Sequence, residues 1–151
     1  MPDEVARARI DYRSGERFLS LRRALGVETF GLNQLTLRPA QRGRIHRHRK
    51  QEEVYLVLAG VLTVLVEREP HELEEGDLLR VPPAARRQLV NTGAERCVIL
   101  AIGASGEHVG RDGEAFASWD DAEGRPPQEV PLPEDLPLRR DQEDEDSRRN
   151  E

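Results

Sequence analysis

The chain has 151 residues, of which 36% are hydrophobic and 34% charged, and its formal net charge is −6. Residues 120–151 hold 12 acids and 5 arginines, so the deficit belongs to the tail, and the remaining 17 acids and 18 basic residues nearly balance. A near-neutral body argues against a general nucleic-acid binder, which needs a dominant positive surface, and the single cysteine, Cys97, excludes an intramolecular disulfide framework.

Taken in chain order, residues 1–26 read as a polar arm followed by a short helix. Phe18, Leu21 and Leu25 share a helical face, and Gly26 suits a C-terminal cap. No apolar stretch is long enough to span a bilayer and no apolar leader opens the chain, so the expectation is a cytoplasmic protein without membrane contact. Residues 27–106 read as strands: VETFGLNQLTL, RIHRH, EVYLVL, VLTVLVE, LLRVPP, RQLVN and RCVILAIG, punctuated by glycine, Pro-Pro and Asn-Thr-Gly. Ala59-Gly60 predicts a hairpin between EVYLVL and VLTVLVE. Short strands at this spacing with no helix between them predict an all-β sandwich or barrel, because parallel strands would need crossover helices. Residues 107–119 predict a packing segment in which Phe116 and Trp119, at helical spacing, cover the barrel. Residues 120–151 are rich in proline and then in charge, and predict an extended or disordered tail unless Val130, Leu132, Leu136 and Leu138 dock on a neighbouring subunit.

Along a strand of period two, His46 and His48 share one face and Arg47 and Arg49 the other. Two residues of strand span roughly 6.5–7 Å, from which two imidazoles leaning together can meet on one metal with bonds of about 2 Å. Glu53 opens the next strand, and the intervening RKQE bend can swing its carboxylate to the same point. Tyr55 and Val57 share the face of Glu53, and Leu89 and Asn91 that of Arg87; core packing is the reading for Tyr55, Val57 and Leu89, and a turn with Thr92-Gly93 for Asn91. The basic run Arg42, Arg44, Arg47, Arg49 and Lys50 lacks interleaved aromatics and adjoins Glu52 and Glu53, so it reads as a solvated outer face. Cys97 lies in an apolar run and reads as a buried small hydrophobe.

The order His46-x-His48-x4-Glu53-x6-Gly60, with Gly43 shortly before it, resembles the first motif of the cupin superfamily. Gly76-x5-Pro82-x-Ala84-x2-Arg87-x3-Asn91 resembles the second, and together they span Leu35 to Gly103. The resemblance implies a cupin-like double-stranded β-helix, a jelly-roll barrel whose inward ligands are usually three histidines and a glutamate around a divalent metal, and it implies a homodimer. Two departures stand out. Ala84 occupies the place of a family glycine, and Arg87 that of the third histidine, although a guanidinium has no lone pair to give. Three readings of Arg87 follow. His46, His48 and Glu53 hold a metal such as Fe, Mn, Ni or Zn, with Arg87 gripping an anionic ligand beside it; or Arg87 pairs with Glu53 in place of the metal; or Arg87 points outward from a vestigial site. His71 and His108 read as surface histidines. The function expected is binding of a small polar or anionic molecule by His46, His48, Tyr55 and Arg87, without a nucleotide cofactor. A metal-dependent oxygenase, isomerase or decarboxylase and a non-catalytic scaffold are the alternatives, since the fold does not choose among them.

Overall fold

The computed structural model describes residues 4–104 and 112–137. Two five-stranded sheets face each other, and every strand pairing is antiparallel. The first has the order β1-β2-β9-β4-β7, from β1 (Phe18–Ser20), β2 (Gly31–Leu37), β9 (Cys97–Ala104), β4 (Glu52–Ala59) and β7 (Leu78–Val81). The second has the order β10-β3-β8-β5-β6, from β10 (Gly113–Phe116), β3 (Ile45–His48), β8 (Arg87–Val90), β5 (Leu62–Val66) and β6 (Glu69–Leu73). This is the expected all-β jelly roll with a short N-terminal helix, α1 (Leu21–Leu25). The α1 N-cap is Ser20, whose hydroxyl accepts from the Arg23 amide, and Gly26 closes it in the left-handed region.

The core lies between the sheets, where alternate residues of each strand meet. Tyr55, Val57, Ile99 and Ala101 from one sheet pack with Leu62, Val64 and Leu89 from the other. Cys97 is fully buried among them, and burial pushes its thiol up to about 12, so it serves as a small hydrophobe.

The expected hairpin at Ala59-Gly60 does not form. β4 pairs with β7 and β9, whereas β5 pairs with β6 and β8, so the chain crosses there from one sheet to the other. Gly60 makes that crossing possible: its φ is +79°, and a Cβ would lie 2.6 Å from the Arg96 carbonyl oxygen. The tight hairpin is instead β5–β6, turned by Glu67 and Arg68 at φ +47° and +70°. Neither residue is a usual left-handed type. Two contacts to Arg86 hold the turn, with the Glu67 amide donating to the Arg86 carbonyl and the Arg86 amide to the Glu67 carboxylate, both at 2.8 Å.

Phe116 ends a strand rather than starting a helical turn, because β10 completes the second sheet against β3. Phe116 is buried beneath the guanidinium of Arg86, which lies 3.7 Å from the ring centroid. Beyond it, residues 127–137 run as a strap across the barrel, starting with the short 3-10 turn η1 (Pro127–Glu129). The strap is held within its own chain. Arg42 Nε donates to the Glu134 carbonyl at 2.9 Å, Arg44 Nε to the Val130 carbonyl at 2.6 Å, and the Leu136 amide to the Ala40 carbonyl at 2.7 Å. Val130 is only 2% exposed against this chain, so it needs no neighbouring subunit to cover it. Arg42 and Arg44 therefore fasten the strap, and Arg47 pairs with Glu114 at 2.9 Å on the outer face. Leu138 and His108 lie outside the described residues.

Gly76 also has a left-handed φ, +87°, but nothing lies within 4 Å of an added Cβ. Gly60→Ala is therefore expected to cost roughly 1 kcal/mol or more beyond Gly76→Ala, since it adds a backbone clash to the same conformational strain. Urea unfolding midpoints of the two variants measure the difference.

Candidate metal centre

Four interior positions are brought together by the pairing of β3 with its neighbours and by β4 facing them from the other sheet. In an antiparallel pair, directly opposed residues project to the same face. His46 opposes Arg87 on β8 and Ala115 on β10. Both neighbours are fully buried, so His46 and, two residues on, His48 face the interior. The same register puts Arg47 opposite Glu114 on the outer face. Glu53 arrives from β4, where it opposes Gly103 on β9.

Among the described residues, His46, His48 and Glu53 form one group whose potential ligand atoms all lie within 4.8 Å of one another. The Glu53 carboxylate sits between the two rings, with Oε1 3.5 Å from His46 Nε2 and Oε2 3.3 Å from His48 Nε2. Its Oε1 also accepts from the Tyr55 hydroxyl. Burial alone would raise the Glu53 carboxyl, but the close approach of the His46 and His48 imidazoles outweighs it and holds the group well below the usual carboxylate range. Burial, and then the adjacent Glu53 charge, push the Tyr55 hydroxyl well above its ordinary value, so it stays a donor.

The imidazoles are set up to give lone pairs. His46 Nδ1 lies 3.1 Å from the Arg44 carbonyl, which can only accept, so Nδ1 carries a proton and Nε2 is the nitrogen turned toward Glu53. Both nitrogens of His48 are buried without a hydrogen-bond partner. An unprotonated nitrogen facing a carboxylate is repulsive, and a cation between them, whether a proton or a metal ion, relieves it; buried polar atoms without a hydrogen-bond partner are rare. Two bonds of about 2.0–2.2 Å bridge donors up to about 4.4 Å apart, so sub-ångström shifts would close this set on a metal.

Asp112, which the sequence reading passed over, supports the centre from behind. Its Oδ2 accepts from the backbone amides of Arg49, Lys50 and Gln51 at 3.1, 3.0 and 2.9 Å. It thereby fixes the bend that carries Glu53 into place, and Oδ2 lies 3.8 Å from His48 Nδ1. No motif marks Asp112; only the β3–β10 pairing brings it there. Burial would raise its carboxyl, but the Lys50 and Gln51 amides, the His48 charge and the Arg49 amide together lower it.

Arg87 is 0% exposed, which overturns the outward-pointing reading. Its terminal nitrogens donate to the carbonyls of Pro83 at 3.2 Å, Pro82 at 2.9 Å and Val81 at 3.4 Å, gathering the turn between β7 and β8 around the guanidinium. Only Nε faces the centre, 4.0 Å from Glu53 Oε1. His46, His48, Glu53 and Tyr55 line a cavity of about 340 Å³. Arg87 is not in its lining, and the cavity is shared instead by Asn33, Arg44 and, from the strap, Pro127 and Leu132. Asn91 makes the expected turn, accepting from the Gly93 amide at 2.9 Å, and also donates to the carbonyls of Leu37 and Glu95. His71 lies on β6, apart from the group.

Residues 33–103 match the family model for a cupin domain. Among solved structures, a protein of Acidithiobacillus ferrooxidans provisionally named a sugar phosphate isomerase is 29% identical with a TM-score of 0.55, covering 61% of this chain and 58% of its own. A cupin-superfamily sugar phosphate isomerase of Silicibacter pomeroyi is 23% identical over 77% of this chain and 79% of its own, with a TM-score of 0.60. A cupin protein of Bacteroides fragilis is 20% identical over 76% of this chain and 94% of its own, with a TM-score of 0.57. None of the curated proteins compared matches the chain significantly. The stretch from 33 to 103 is thus similar in sequence to a cupin domain, and the jelly roll around it is cupin-like.

Asp112 provides a pH test of this arrangement. Its folded pKa is depressed, so the stability it contributes is present above the ordinary value of 3.8 and lost as pH falls through the lowered one. Asp112→Asn is expected to lose roughly 1–3 kcal/mol at neutral pH, as for hydrogen bonds to a charged group. Urea unfolding across the acid range should show the gap between wild type and variant closing below pH 3.8.

Proposed function

We propose that this cupin-fold chain is a metal-dependent small-molecule-binding protein, in which His46, His48 and Glu53 hold a divalent transition metal and the adjoining cavity holds its ligand. The observation that carries this reading is His48, whose two buried nitrogens have no hydrogen-bond partner while Nε2 lies 3.3 Å from a carboxylate. A two-histidine, one-carboxylate set suits a metal with open positions, where the ion polarises an oxygen-bearing ligand. The chain's own residues prepare that position. The Arg44 carbonyl fixes the His46 tautomer, Tyr55 holds one oxygen of Glu53, and Asp112 holds the backbone at residues 49–51. Arg87 is a permanent buried cation behind Glu53; its charge is solvated by three carbonyls, which supports its coexistence with a metal.

A second reading, a metal-dependent isomerase acting on a sugar phosphate, draws on the name of the Acidithiobacillus protein, of whose length this chain spans 58%. Homodimerisation belongs to the proposal too, supported by exposed Val5, Tyr12, Phe30 and Leu78 away from the cavity.

Elemental analysis of purified protein tests the metal assignment. About one equivalent of iron, manganese, nickel or zinc is expected per chain, falling at least tenfold in His48→Ala and in Glu53→Gln. Metal that is absent from the natural protein but taken up by Arg87→His would show that three donors are too few.

A further inference from the structure

The cavity beside the triad divides into two chemically different parts. At its base are His46, His48 and Glu53. Its walls are largely aliphatic, with Leu35, Leu37 and Leu89 among them. Of the polar wall groups, the Tyr55 hydroxyl is already spent on Glu53, Arg44 Nε on the Val130 carbonyl and Arg17 Nη1 on the Arg42 carbonyl, which leaves the Asn33 amide to meet a ligand. The rim is apolar as well. Phe18 is 55% exposed and Leu132 44% exposed, and both line this cavity. Leu132 stands there because the arginine contacts at Val130 and Glu134 pin the strap on either side of it.

The charge at the base has a sign. Glu53 and Asp112 contribute two negative charges and Arg87 one positive charge. A divalent ion on the triad therefore leaves a net charge of about +1 before any ligand arrives, which favours an anionic head. A sugar body would bring several hydroxyls against leucine side chains, more than the one Asn33 amide can partner, and the rest would lose water without exchange. An aliphatic body meets the same walls favourably.

We propose that the cavity takes a small amphipathic acid, with a carboxylate or 2-oxo acid head toward the triad and an aliphatic body on the leucine walls, closed over by Leu132 of the strap. The inference rests on the metal reading above and specifies its ligand. It also separates this chain from a sugar phosphate site, and it makes Leu132 a specificity-determining residue.

The test uses full-length protein loaded with Co(II), whose visible spectrum reports ligands entering its coordination. The probes are 4-methyl-2-oxopentanoate, pyruvate (the same head without the body) and glucose 6-phosphate. The branched oxo acid is expected to bind at least tenfold tighter than either of the others, as burial of its extra carbons implies. Leu132→Asp, a change at a half-exposed position outside the metal set, should narrow the preference over pyruvate at least threefold. Tighter binding of glucose 6-phosphate, pyruvate binding within twofold of the branched acid, or no binding of the branched acid overturns the inference while leaving the metal site standing. Failure to take up Co(II) sinks the metal reading instead. Calorimetry on the metal-free protein then decides ligand class, with the same order of affinities supporting the amphipathic acid and the reverse order refuting it.

Discussion

A carboxylate enclosed by protein must be matched by positive charge, and Glu53 is the group around which the interior of this molecule is arranged. Removing an ion from water costs several kcal/mol even after relaxation. Here two imidazoles, a phenol and a guanidinium surround the carboxylate, yet only the phenol makes a hydrogen bond to it. The imidazoles stand at 3.5 and 3.3 Å and Arg87 Nε at 4.0 Å, too far to satisfy the carboxylate directly. A divalent ion between the carboxylate and the two rings would satisfy those three groups at once, which is the physical basis of the proposed metal assignment.

The scaffold follows from that requirement. The histidines come from one sheet and the glutamate from the other, so the centre exists only while the sheets are packed face to face. Asp112 ties the bend between β3 and β4, Arg87 ties the turn between β7 and β8, and both lie at the edge of the centre. Arg47, alternating with the histidines along β3, pairs with Glu114 on the outer face, whereas Arg44, just before β3, lines the cavity and holds the strap beside it.

Much of this was legible in the sequence, for reasons that differ by residue. The period of two placed His46 and His48 together and Arg47 opposite them, because a paired strand leaves no other option. Asn91 and Gly26 were legible because turn and cap chemistry is local. The long-range features were not. Ala59-Gly60 carries a hairpin signal but joins two sheets, since a left-handed glycine serves either kind of turn. Glu67-Arg68 forms the actual hairpin turn without a turn residue, held by contacts to Arg86 that no local pattern reveals. Asp112 and Leu132 reach the centre only through β10 and the strap, segments whose own patterns carry no mark of a site. The direction of Arg87 was open until its register opposite His46 turned it inward.

X-ray absorption spectroscopy of the metal-loaded protein tests the central claim most directly, because it reads the donors themselves. The account predicts imidazole scattering from two histidines with metal–nitrogen distances of about 2.0–2.1 Å if the metal is zinc, and in His48→Ala loss of most of the metal, with one imidazole on any that stays bound. A bound metal without imidazole scattering, or a spectrum unchanged in His48→Ala, would contradict it.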